Sequence, residues 1–230
     1  LDNSSGEEIA GFAKSTILAT GGYSGIFINH TTNASATTGD GILAAHRVGA
    51  QLRDMEFVQF HPTTLEKNSF LMSEAARGAG AYLRNDAGER FVDELATRDQ
   101  VAKAIYQEQQ KGSKTYLDMR HIPSEILEHE LKEEISICKT FLGQDPKEEL
   151  IAIKPSAHYA MGGIAINLKT EVLLEDKSVL KNLYACGECA NHGGHGANRL
   201  GGNSLLDIVV FGRIAAHVAH QNALTSSLQE

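Results

Sequence analysis

Short apolar runs and amphipathic stretches alternate along the chain, and the two patterns predict strands and helices respectively. Apolar residues at helical spacing predict helices over 42–49, 98–111 and 122–137, and a final helix after the candidate N-caps Asn203 and Ser204. Short apolar runs predict strands over 15–19, 55–63, 115–119, 156–164 and 182–188. The polar segment Asp2–Glu8 is typical of a hairpin tip. This mixture indicates an α/β fold.

The composition of the sequence changes between residues 58 and 155. Glycines become rarer there and heavily charged helices appear, whereas the segments on both sides are rich in glycine. We therefore expect one α/β domain in two parts, 1–57 and 156–230, with an inserted α+β domain at 58–155. Pro62 lacks the N–H that a sheet requires, so we expect it to end the strand that carries His61.

Composition and charge exclude several classes of protein. The chain has 230 residues, 42% of them hydrophobic, and a net charge of −8. A general polyanion binder needs basic clusters, and the sequence has none. We expect no membrane insertion, because no apolar run approaches the ~18–20 residues that span a bilayer. Three cysteines, at 138, 186 and 189, are too few for a disulfide framework.

Candidate chemistry concentrates in the stretch HGANRLGGNSLL, residues 195–206. Arg199 can hold a carboxylate through two parallel hydrogen bonds. Gly201 and Gly202 remove side chains, so the backbone can approach a flat or anionic ligand. The helix that follows presents free N–H groups and a partial positive charge at its first turn. The stretch therefore combines a carboxylate-binding group with an anion-seeking helix end.

The strings HGANRLGGNSLLD and VVFGR, together with ATGG, TGDG and DMEFVQFHPT, resemble the flavoprotein subunits of succinate dehydrogenase and fumarate reductase. L-aspartate oxidase is similar but more distant. The resemblance implies part of an α/β FAD-binding domain with an inserted α+β capping domain, and FAD as the cofactor. The fingerprint G-x-G-x-x-G is absent from the chain, so we expect a fragment of a longer protein that lacks this N-terminal part and the C-terminal domain.

The resemblance also implies roles for individual residues. It places substrate binding on His61, Ser73, His158 and Arg199, and proton transfer on Arg98, Glu74 and Arg77. It places cofactor contacts on Asp40, Glu188, Ser204 and Leu205. No metal is expected. Ser73 departs from the usual threonine of the family but keeps the hydroxyl group.

Several of these residues also have a structural interpretation. Asp40 is a possible N-cap, Glu74 and Arg77 at i, i+3 are a possible helix salt bridge, and a lone His61 is often structural. Cys186 and Cys189 have the spacing of a redox motif, and with His192 and His195 they could be considered for zinc.

The resemblance implies interconversion of succinate and fumarate by hydride transfer at the flavin N5, with Arg98 passing the proton. The implied partners are a C4 dicarboxylate, an iron–sulfur subunit and a membrane anchor, at the cytoplasmic side of the inner membrane. Two alternatives remain: an L-aspartate oxidase, and a piece that by itself holds no cofactor and has no activity. The direction of the reaction is not encoded in these residues.

Overall fold

The computed structural model describes residues 4–227. The predicted hairpin tip begins outside the described residues, and from Ser4 to Ser15 the structure has no strand. The helices are α1 Asp40–Arg47, α2 Glu74–Gly78, α3 Arg98–Gln110, α4 Ser124–His129, α5 Lys132–Leu142 and α6 Asn203–Thr225. The strands are β1 Thr16–Leu18, β2 Leu52–Arg53, β3 Val58–Leu65, β4 Tyr82–Asn85, β5 Thr115–Asp118, β6 Ile151–Ala160, β7 Gly163–Ala165, β8 Glu171–Leu173, β9 Val179–Ala185 and β10 Ala190–Asn191.

The described strands form three sheets. Two have three strands, in the orders β1-β9-β8 and β10-β7-β2, and the third is antiparallel with the order β3-β6-β5-β4. Strands β1 and β9 are parallel, with Leu18 opposite Ala185. Their carboxyl ends therefore meet at one edge, which is where α/β folds place ligands.

Two hydrophobic clusters stabilise the chain. The first cluster is built from buried side chains between residues 65 and 153. The second cluster is built from buried side chains within 23–50 and 160–190, which flank the first in sequence. Strand β6 runs through the predicted boundary at 155/156 without a break. The domain boundaries stay a prediction, but β3 and β6 are the two strands that connect the regions packed around the two clusters.

Three local expectations were wrong. Pro62 does not end its strand, because the β3–β6 register shifts between His61 and Thr64 and the ladder needs no N–H from Pro62. The predicted helix 122–137 is two helices, broken at 130–131, and the break lets both contribute to one core. The predicted strand 156–164 is interrupted after Ala160.

The N-cap of α6 also differs from the expectation. Gly202 occupies it with a φ of 78°, and no side chain caps the helix. Asn203 and Ser204 are the first helical residues, so neither acts as the N-cap. Glycine suits this position because its backbone enters the left-handed region without a Cβ penalty.

We predict that Gly163→Ala destabilises the protein. A Cβ on Gly163 would lie 2.4 Å from the Cys189 carbonyl oxygen, and backbone cannot yield as a flexible side chain can. Overpacking of this kind costs about 1–3 kcal/mol. Thermal unfolding of the full-length protein measures the loss. Gly78→Ala is the matched control, because a Cβ there meets no atom within 4 Å. Equal unfolding temperatures for the two variants would contradict the prediction.

Candidate functional site

Glu188 lies where the carboxyl ends of β1 and β9 meet. Its Oε1 accepts a hydrogen bond from the Ala160 N–H at 2.8 Å, and burial raises the pKa of the carboxyl. A Cβ on Gly22 would lie 2.3 Å from the same oxygen. The glycine turn after β1 therefore lets the backbone come against a partly buried carboxylate.

The other residues predicted to contact the cofactor lie at helix starts. Asp40 is the exposed first residue of α1, and its Oδ2 accepts from Thr38 Oγ1 at 2.7 Å. Gly39, with a φ of 80°, is the N-cap, so the interpretation of Asp40 as the N-cap is wrong. Ser204 and Leu205 lie in the first turn of α6, where Leu205 is 67% exposed.

A group of basic side chains comes from strands β3 and β6, helices α2 and α3 and the loop before α6. We call it the cationic cluster; it consists of His61, Arg77, Arg98, His158 and Arg199, and all but His158 are at most 9% exposed. Buried like charges disfavour the protonated forms of one another. The positive potential of the cluster therefore comes from its three guanidinium groups.

The catalytic residues predicted from the resemblance lie in one hydrogen-bonded chain. Arg98 Nη2 donates to Glu74 Oε2 at 2.9 Å, and Arg77 Nη2 donates to Glu74 Oε1 at 3.2 Å. Arg77 Nη1 also donates to the Glu94 carbonyl. Burial alone raises the pKa of Glu74, but the two guanidinium groups lower it below its ordinary value. Glu74 and Arg77 do form the helix salt bridge, and Arg98 extends it.

The two histidines predicted to bind substrate are neighbours. Their ring centroids are 5.4 Å apart, and His158 Nδ1 lies 2.8 Å from Thr32 Oγ1. Burial, together with repulsion from Arg199 and Arg98, lowers the pKa of His158 to about 4. Burial and the nearby cations lower the pKa of His61 well below its ordinary value. Both rings are therefore neutral at pH 7.

The tautomer of His61 follows from a backbone contact. Its Nδ1 accepts a hydrogen bond from the Thr63 N–H at 3.3 Å. The proton of the neutral ring therefore resides on Nε2. A neutral His61 can still donate one hydrogen bond to an anion.

Arg199 faces the same region. Its guanidinium carbon lies 4.4 Å from the centroid of the Tyr159 ring, and Nη1 donates to the Leu200 carbonyl at 3.1 Å. Its Nε is buried without a hydrogen-bond partner. Burial and repulsion from Arg98 lower the pKa of Arg199. Buried donors with unused capacity favour binding of an anion.

Ser73 is the N-cap of α2, and its Oγ accepts from the Ala75 N–H at 3.1 Å. The hydroxyl hydrogen is still available to donate. The preceding residue, Met72, makes two hydrogen bonds with Thr63. The Met72 N–H donates to the Thr63 carbonyl, and Thr63 Oγ1 donates to the Met72 carbonyl. This pairing brings the start of α2 beside the strand that holds His61.

The sequence interpretation missed Gln59. This side chain is 5% exposed and contacts both Arg98 and the loop at 198–199. The sequence contained an indication of its role, because residues i and i+2 of a strand lie on the same face and Gln59 precedes His61 by two positions. Thr32 was also missed, and its contact with His158 spans 126 positions, so no local pattern predicts it.

The cysteine pair does not have the properties of a redox motif. Cys189 Sγ lies 3.3 Å from the carbonyl oxygens of both Leu18 and Cys186, which share its single S–H donor. Burial raises the pKa of both thiols. A reactive CxxC pair needs a lowered thiol pKa, so the redox interpretation is not supported.

One described group, His192 with His195 and Asp207, places three potential metal-ligand atoms within 4.8 Å of one another. His192 Nδ1, however, accepts the Gly194 N–H at 3.0 Å, which leaves the ring proton on Nε2. Nε2 lies 2.9 Å from Asp207 Oδ1 and donates to it. A metal ion at this site would need a lone pair on Nε2, where the ring carries its proton instead. The geometry therefore favours a His–Asp hydrogen bond.

Comparison with known proteins gives a consistent picture. The family profile described as "FAD binding domain" matches residues 1–205. The chain is 38% identical to the fumarate reductase flavoprotein subunit of Escherichia coli, covering 93% of this chain and 39% of that protein. It is 44% identical to the L-aspartate oxidase of Nostoc sp., covering 90% of this chain and 37% of that protein.

Solved structures agree with the sequence comparison. A quinol–fumarate reductase with menaquinol molecules superposes with a TM-score of 0.86 at 38% identity, covering 94% of this chain and 41% of that one. The chain thus spans about two fifths of the length of its relatives. Across residues 4–227, no helix combines the length and apolar character that crossing a membrane would require.

Proposed function

The chain belongs to the FAD-binding domain family that includes fumarate reductase and succinate dehydrogenase flavoprotein subunits and L-aspartate oxidase, and from this premise we propose that it is part of an enzyme interconverting succinate and fumarate. The membership confirms the predicted resemblance and the predicted cofactor, FAD. The observation that carries the proposal is the buried cationic cluster beside the glycine turn at 201–202.

The residues at the carboxyl ends of β1 and β9 fit FAD. Glu188 offers a carboxylate for cofactor hydroxyl groups, and Gly22 leaves the space in front of it free of a side chain. Leu205, which is 67% exposed, offers an apolar surface for a flat ring. We propose that Asp40, Glu188, Ser204 and Leu205 hold the cofactor. Bound FAD supplies hydride exchange with a substrate carbon.

The cationic cluster suits a small dianion. A C4 dicarboxylate has two negative ends and needs two sets of donors on a rigid frame. We propose that Arg199 and His158 bind one carboxylate, and that His61 and Ser73 bind the other. His61, Ser73 and Arg199 each keep a donor available by their observed contacts. All four residues lie on strands, at a helix start or in the loop before α6.

We propose that Arg98 transfers the proton and that Glu74 and Arg77 serve its reprotonation. A free guanidinium has a pKa above 12 and is a weak acid, so it passes a proton only when it is reprotonated quickly. The half-exposed Glu74, hydrogen-bonded to both arginines, provides that route from solvent. The surrounding cations also stabilise negative charge that develops on the substrate.

Further parts of the assignment follow from the relatives, which are subunits of fumarate reductase and succinate dehydrogenase. We propose an iron–sulfur subunit as electron partner and a separate membrane anchor, with the flavoprotein on the cytoplasmic side of the inner membrane. We propose that the region around the first hydrophobic cluster is the capping domain, whose helices α2 and α3 carry Arg77 and Arg98 of the cationic cluster.

Purification of the full-length flavoprotein and assay with an artificial electron donor or acceptor tests the proposal. We expect FAD-dependent fumarate reduction or succinate oxidation. Turnover of L-aspartate in place of both would support the alternative, which the 44% identity to the Nostoc enzyme keeps open. A protein that holds FAD and acts on none of the three would overturn the proposal.

The affinity for dicarboxylates should depend on pH. His158 has a pKa of about 4 in the free protein, and a bound dianion raises it. Binding then takes up a proton, so affinity rises as pH falls, by up to about tenfold per pH unit between the free and bound pKa values. Titration of the oxidised protein with fumarate between about pH 5.5 and 8, followed by flavin absorbance, gives the dissociation constant at each pH. His158→Gln should flatten the profile, and a flat profile in the parent would contradict the prediction.

A further inference from the structure

Gln59 lies on β3 and uses every polar atom of its side chain. Oε1 accepts from Arg98 Nη1 at 2.9 Å. Nε2 donates to Asn198 Oδ1 and to the Arg199 carbonyl, both at 2.8 Å. One amide therefore connects the group proposed to pass the proton with the loop that carries a proposed carboxylate-binding group.

The orientation of this amide is determined by its partners. Rotation by 180° would place its NH₂ against a guanidinium and its oxygen against two other oxygens, so that all three hydrogen bonds would be lost. The side chain is also 5% exposed and lies on a strand paired with β6. Water cannot easily replace these contacts.

Gln59 is the more buried of the two side chains that accept hydrogen bonds from Arg98 in the described structure. The other, Glu74, has a side chain 46% exposed and divides its oxygens between two arginines. Gln59 is also neutral. It holds the Arg98 guanidinium and the backbone carbonyl of Arg199 without cancelling the positive charge that attracts a dianion.

A second contact reinforces the same junction. A Cβ on Gly201 would lie 2.9 Å from Glu74 Oε2 and 3.6 Å from Arg98 Nη2, so this backbone packs directly on the ion pair. The loop 198–201 is thereby held against the Arg98 side at two points. A displacement of about 1 Å at such a junction can cost about 10²-fold in rate.

On the basis of the proposed function, we infer that Gln59 is a positioning residue whose amide sets the placement of Arg98 relative to the Arg199 loop. Gln59→Met keeps the size of the side chain and removes all three hydrogen bonds. We expect kcat per bound FAD to fall about 10²-fold and KM for the dicarboxylate to rise about tenfold.

Gln59→Glu separates the two contacts. It keeps an acceptor for Arg98 but cannot donate to the Arg199 carbonyl, so KM should rise by a larger factor than kcat falls. Gln109→Met is the matched control, since Gln109 donates to Thr115 Oγ1 and the Ile153 carbonyl away from the cationic cluster. Its kinetic constants should equal those of the parent.

The kinetics of FAD-loaded full-length protein decide the inference. An active parent whose Gln59→Met and Gln59→Glu variants keep kcat and KM within about twofold would overturn it, since a purely structural role lowers yield or FAD content alone. An equal loss in Gln109→Met would overturn it too. A parent inert toward succinate, fumarate and L-aspartate overturns the proposed function and, with it, this inference.

Discussion

Arg98→Ala is expected to lower turnover of fumarate or succinate by at least about 10³-fold while leaving dicarboxylate binding measurable. The buried guanidinium bridges Gln59 and Glu74, each at 2.9 Å, and its Nε has no hydrogen-bond partner. Its removal deletes the proposed proton donor and leaves the proposed binding groups in place. Turnover per bound FAD, and the dissociation constant for fumarate from flavin absorbance, measure the two effects separately.

The control for Arg98→Ala is Lys103→Ala on the same helix. Lys103 is exposed, so its loss removes a positive charge of α3 without touching the cationic cluster. We expect parental turnover from it. Arg98→Lys keeps a charge but cannot reach Gln59 and Glu74 together with one planar group, so it should recover little activity. Near-parental turnover in Arg98→Ala would refute the proton role.

Arg199→Leu is expected to weaken dicarboxylate binding by about 10²-fold or more, because truncating one partner of a buried charged hydrogen bond costs about 2–5 kcal/mol. Arg199 is 5% exposed and lies over the Tyr159 ring. Leucine fills part of the volume and offers no donor to a carboxylate. The fumarate dissociation constant of the oxidised full-length protein measures the loss.

Arg213→Leu makes the same chemical change on the exposed surface of α6 and serves as the control. It should bind fumarate as the parent does. If both variants bound equally well, Arg199 would not be a carboxylate-binding residue. If Arg199→Leu lost turnover but kept the parental dissociation constant, its role would lie in the transition state and not in ground-state binding.

Much of the site could be predicted from short strings. The strand that carries His61, the loop that carries Arg199 and the glycine turns after β1 each have their signal within a dozen residues. Local steric and hydrogen-bonding rules operate over that distance. The same rules misjudged Pro62 and the N-cap of α6, because a register shift in one case and a left-handed glycine in the other depend on how the chain is paired and packed.

The sequence by itself determined the α/β fold class, the basic side chains that the site draws on, and the strings that mark the family. Only the tertiary structure decided that Arg98 donates to Glu74, and that Gln59 joins Arg98 to a loop residue 140 positions from Gln59. The physical reason is the distance along the chain between the residues that interact. Periodicity reports which face of one element is buried, whereas a hydrogen bond between distant elements depends on sheet pairing and core packing, which no local pattern contains.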